Sequence, residues 1–131
     1  MAWPEVFIVL ALSHLVGDFA LQTDWQAQNK RGGLGGGNPT SRRALLAHIT
    51  TYTLAFVPAL IWLADDIGAW ALLAGAAVAI PHLIQDDGRL VERYIATVKG
   101  PTATTAPVVF IAVDQTFHAL ALFALALAVA A

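Results

Sequence analysis

Seven ionisable side chains with metal-binding chemistry stand in segments that are otherwise apolar, and six of them fall four residues apart: His14 with Asp18, His82 with Asp86, and Asp114 with His118. The seventh, His48, stands alone. Residues four apart on a helix share a face one turn apart, so each pair can converge on one point. Such groups are costly inside hydrocarbon unless they meet partners, so the seven are expected to touch one another.

Four imidazoles and three carboxylates form a nitrogen and oxygen ligand set suited to zinc, manganese or iron. The chain has no cysteine, so no sulfur ligand competes. The set exceeds one tetrahedral shell. It therefore holds one or two divalent ions, or some carboxylates orient ligating histidines from outside. Gln22 continues the His14–Asp18 stripe and Tyr52 follows His48, which makes both outer supports of the site. Asp18 and Asp114 are the candidate general bases. Two other uses of the same residues stand beside this one: interhelical hydrogen bonding, and a haem held by two histidines, which leaves three buried aspartates unexplained.

The elements that must position these residues are long apolar helices. The 131-residue chain is 58% hydrophobic and 12% charged, with a mean hydropathy of +0.68, which places it among membrane proteins. Crossing a hydrocarbon core of ~30 Å takes about 20 helical residues. Four runs meet that length, at 3–22, 44–63, 68–87 and 107–131, so the expected fold is all-α: one domain, a polytopic four-helix transmembrane bundle. A soluble bundle would need polar outer faces, yet "LALFALALAVAA" (120–131) is apolar on every side. The first run lacks a basic n-region and a small-x-small cleavage site, and is expected to remain as a helix. Trp3, Trp25, Trp62 and Trp70 fall near span ends, as interface anchors do.

All seven basic residues lie in two connections: Lys30, Arg31, Arg42 and Arg43 after the first run, and Arg89, Arg93 and Lys99 after the third. The positive-inside bias makes these connections cytoplasmic and both termini external. With that topology and a rise of 1.5 Å per residue, His14 and Asp18 lie roughly 15 and 9 Å below the cytoplasmic boundary, with His48 about 8 and His82 about 9. Asp114 and His118 fall at roughly 12 and 18 Å, and Asp86, at about 3 Å, is expected near the mouth. Opposed chain directions thus bring the polar residues of all four helices into one leaflet.

The connection "RGGLGGGNPTSRR" (31–43) reads as a flexible linker rather than a phosphate-binding loop, since it lacks a G-K-[ST] ending and a preceding strand. The turn at 64–67 makes the second and third helices antiparallel neighbours. Pro58 and Pro81 are expected to kink their helices, Pro81 beside His82. Lys30 and Arg89 are positioned to meet an anionic substrate at the cytoplasmic mouth. The expected partners are membrane lipids and, through the small-residue run "AGAAVA" (74–79), a second copy of the chain; no nucleic-acid partner is expected.

The motifs "HLVGDFALQTDWQAQNK" (14–30), "LLAHITTYTL" (45–54), "HLIQDDGR" (82–89) and "VDQTFH" (113–118) resemble the bacterial integral-membrane family of domain of unknown function 3307. The resemblance spans almost the whole chain and implies a bacterial inner-membrane protein. It carries over His14, Asp18, Phe19, Gln22, Lys30, His48, His82, Asp86, Asp114, Gln115 and His118, adding Gln115 to the outer supports. "DGR" departs from the pattern, leaving the basic position after the third-helix aspartate open. No reaction comes with the resemblance. Two function classes fit the residues: a metal-dependent membrane hydrolase of a lipid or phosphate ester, or a metal or proton transport component; a non-enzymatic accessory subunit is a further alternative. "LALFALALAVAA" and "FVPALIWL" (56–63) carry no ionisable group, which favours a site open to one side.

Overall fold

The first helix, α1 (Trp3–Leu15), starts where the Glu5 carboxylate accepts the Ala2 N–H at 3.3 Å, with Pro4 in the first turn. It runs on into a π-helical turn, Val16–Ala20, in which the Leu21 N–H reaches back to the Val16 carbonyl at 2.9 Å. These coordinates come from a computed structural model describing residues 1–131, and every regular element in it is helical. A Thr23–Gln26 capping box opens the short α2 (Asp24–Asn29). Asn38 caps α3 (Pro39–Ala55) by accepting the Thr40 N–H, with Pro39 in the first position. Then follow α4 (Val57–Ile67), α5 (Ala71–Asp86), α6 (Arg89–Tyr94) and α7 (Pro107–Val129).

The expected second span, 44–63, is divided differently. Its helix begins at Pro39, because the Asn-Pro cap sets the start while the apolar boundary does not. It breaks at Phe56, where Pro58 in the first turn of α4 has no N–H to continue the ladder. The turn expected at 64–67 is helical, and the chain reverses at Gly68, whose φ of +57° and ψ of −134° are open to glycine. Pro81 stays within α5.

Three helical stretches, Trp3–Ala20, Val57–Asp86 and Pro107–Val129, are long and apolar enough to cross a membrane. The second of these is a hairpin. It folds back at Gly68 so that Leu60 of α4 packs on Gly75 of α5. The stretch 44–63 is not among the three; it straddles the α3–α4 break.

α1 packs on α7, α7 on α5, and α5 on α3 and α4. The cross-contacts fix their directions: Trp3 and Phe7 stand edge-on to Phe123, while His14 meets Gln115. His14 meets Tyr52 and Asp18 meets His48, while Tyr52 stacks on His82 and His48 meets Asp86, so α1 and α5 run one way and α3, α4 and α7 the other. Val6, Leu10, Tyr52, Phe56, Leu63, Val78 and Leu122 belong to an apolar core at one end of the bundle. Val91, Ile95, Phe110 and Val113 make a smaller one at the other, under α6. The polar residues lie between the two. Outward faces are apolar, with Leu72 and Val108 each 79% exposed, so water is a poor solvent for this surface.

Candidate metal centre

His48 and His82 reach the layer between the cores from α3 and α5, which approach closely there. Their Nε2 atoms lie 3.1 Å apart. Asp18 Oδ1 stands 3.2 Å from His48 Nε2 and 3.9 Å from His82 Nε2. Asp86 Oδ2 stands 2.8 and 3.3 Å from the same two nitrogens. For bonds of about 2.0–2.1 Å to a tetrahedral zinc, the edge of the ligand tetrahedron is about 3.3 Å, and these separations scatter around it. All four residues are buried.

A second group, Asp86, Asp114 and His118, shares Asp86 with the first. The His118 Nδ1–H donates to the Asp114 carbonyl at 2.8 Å, as expected for residues four apart on α7. That hydrogen bond turns the Nε2 lone pair toward Asp86 Oδ1 at 3.4 Å. His118 Nε2 and Asp18 Oδ1 are buried without a hydrogen-bond partner. Lone pairs facing one another at such distances repel unless a proton or cation stands between them. The donor set of the first group thus fits one ion, and Asp86 is common to both groups.

Local structure explains the convergence. The π-helical turn carries Asp18 just past the regular part of α1, and such turns often re-aim a functional side chain. Gly17 lets α3 approach: a Cβ there would lie 2.8 Å from Tyr52 Cδ2 and 3.2 Å from Tyr52 Cα. Tyr52 in turn stacks on the His82 ring, 3.3 Å between centroids and 3° between planes.

His14 lies outside both ligand groups. Its two nitrogens are already engaged, Nδ1 with the Tyr52 hydroxyl at 3.1 Å and Nε2 with Gln115 Oε1 at 3.0 Å. The Gln115 amide also donates to Asp18 Oδ2 at 2.8 Å, so Gln115 joins His14 to the carboxylate. Gln22 accepts from Lys30 Nζ. Asp86, expected near the mouth, is 3% exposed and central, because the first connection and α6 close over this end of the bundle.

A cavity of about 230 Å³ opens onto the site, lined by Asp18, Gln22, Lys30, Arg31, Asp114 and Gln115 among others. Lys30 reaches in from the end of α2. Arg89 does not line the cavity; it pairs with Asp87. Arg31 takes the wall position instead, its guanidinium 3.6 Å over the Phe110 ring. Sequence reasoning passed over Arg31, Gln85 and Asp87. Gln85 donates to the Phe117 carbonyl, with its Oε1 unpartnered. Asp87 holds the glycine loop: its carbonyl accepts the Gly32 N–H at 2.8 Å and its carboxylate the Leu34 N–H at 2.7 Å. That part of the expected flexible linker is anchored, and Gly33 is buried, with Ser41 and Leu45 where a Cβ would stand. The doubled aspartate of "QDDGR" was the available signal.

A family model described as a protein of unknown function (DUF3307) matches residues 6–131, nearly the whole chain. The chain belongs to that family. No curated protein and no solved structure shows significant similarity to it.

Proposed function

We propose that this DUF3307 protein crosses the bacterial inner membrane four times, with both termini outside, and works as a divalent-metal-dependent hydrolase of amphiphilic phosphate esters. The α4–α5 reversal at Gly68 and the basic connections support four crossings. The observation that carries the chemical reading is the convergence of Asp18, His48, His82 and Asp86 beside a polar cavity. A zinc, manganese or iron ion held there would supply a Lewis acid for a phosphoryl oxygen.

The chain's own groups divide the remaining work. Asp18 and Asp86 would hold the ion and offset its charge. Asp114, at the cavity wall and outside the first group, is the general base that takes a proton from the attacking water. Arg31 and Lys30 face the cavity with positive charge that complements an anionic ester. An amphiphilic substrate suits the location, since the cavity opens at one end of an apolar bundle while the buried core from Val6 to Leu122 closes the other. The same closure favours hydrolysis over transport.

The test is release of phosphate or a headgroup from bacterial lipids by detergent-purified protein. Turnover should require a divalent metal, stop with chelator, and fall about 10²-fold or more in Asp114→Asn with metal content kept. Proteoliposomes that move zinc, manganese or protons without hydrolysis would decide for transport.

A further inference from the structure

Lys30 is the one lysine or arginine paired with either central carboxylate. Its Nζ donates to Asp86 Oδ2 at 2.6 Å and stands 3.7 Å from Asp18 Oδ1. Those are the two carboxylate oxygens that complete the first ligand group with His48 and His82. An ammonium in this position does part of what a metal would do: it offsets the two buried negative charges. It also repels any dication entering the same group, because water is excluded and the charges are close.

The surroundings allow the ammonium to leave. Lys30 caps the C-terminus of α2, whose start is fixed by the Thr23–Gln26 box and whose following loop is tied to Asp87. The backbone on both sides is thus anchored while the four-carbon side chain can change rotamer. The cavity lies beside it; Gln22 already accepts from Lys30 Nζ there, and Asp114 on the same wall can receive the displaced ammonium.

We propose that Lys30 is a tethered cation that competes with the metal for Asp18 and Asp86, and that metal entry drives its ammonium into the cavity, toward the position of the substrate's anionic group. This rests on the metal reading of the site. It makes metal affinity a property of the first connection as well as of the ligands.

The detergent-solubilised full chain provides the test, with Zn²⁺ and Mn²⁺ as probes. Lys30→Met should bind each at least ten-fold more tightly than the wild type, whereas Lys30→Arg, which keeps the charge, should stay within about three-fold. Lys30 and Lys99 are the two lysines of the chain, so amine acylation followed by mass spectrometry gives an internal reference. Zn²⁺ should raise labelling of Lys30 several-fold relative to Lys99. If Lys30→Met destabilises the metal-free protein, the labelling ratio of the wild type still decides. Equal or weaker metal binding by Lys30→Met, or an unchanged labelling ratio on a wild type that binds zinc, overturns the competition and leaves the metal site standing. Absence of metal binding in all three proteins overturns both.

Discussion

Among single residues, ligands and supports are distinguishable by what surrounds them. His48 and His82 aim Nε2 at two carboxylates, whereas both nitrogens of His14 are engaged by Tyr52 and Gln115. His48→Ala or Asp86→Ala should therefore lose the bound ion. Tyr52→Phe or Gln115→Leu should retain it with affinity reduced about 10–100-fold, because each orients a ligand or its neighbour. Equilibrium dialysis with zinc separates the two outcomes, and full loss in Gln115→Leu would contradict the division. The spacing of four made His14, Asp18, His82, Asp86, Asp114 and His118 legible in the sequence, since side-chain direction on a helix follows from register alone. It did not rank them. Which histidine faces the carboxylates depends on how helices rotate against each other, and that is decided by contacts such as Gly17 with Tyr52, between residues 35 positions apart.

For the elements, the apolar runs located the long helices but not their ends. Hydrophobicity marks where a chain can meet lipid, while a helix starts where a cap satisfies its first N–H groups, as Asn38 does six residues before the apolar run begins. Pro58 was visible as a disturbance, and it lies at a true break between α3 and α4. The glycine loop shows the opposite failure. Its composition reads as mobile, yet Asp87 ties Gly32 and Leu34 to the end of α5 through bonds to distant backbone groups. A close element contact is that of the π-helical turn after α1 with α3 at Gly17. A Cβ there meets a ring and a backbone carbon of Tyr52, neither of which can swing aside, so Gly17→Ala should cost about 1–3 kcal/mol. Thermal unfolding in detergent should fall accordingly and metal affinity should weaken with it, because Tyr52 holds the His82 ring. An unchanged transition would mean that the helices are free to separate.

In the whole molecule, a polar layer lies between two apolar clusters, with the cavity at the end where the basic connections gather. This arrangement follows from opposed helix directions: α1 and α5 deliver their polar residues near their C-terminal ends, α3 and α7 near their middles. Cytoplasmic reporters should be active in fusions at 31–41 and 96–104, and exported reporters active after Ala131, since only those connections are basic. A cytoplasmic C-terminus would detach the site from the leaflet assigned to it. The central claim is that Asp18, His48, His82 and Asp86 hold a metal ion, and its most direct test is X-ray absorption spectroscopy on purified protein loaded with one equivalent of zinc. The spectrum should show nitrogen and oxygen ligands at about 2.0–2.1 Å, with outer-shell scattering from two imidazoles that disappears in the His48→Ala, His82→Ala double variant. Protein that retains no zinc, or zinc whose spectrum is unaltered by that double substitution, would contradict it.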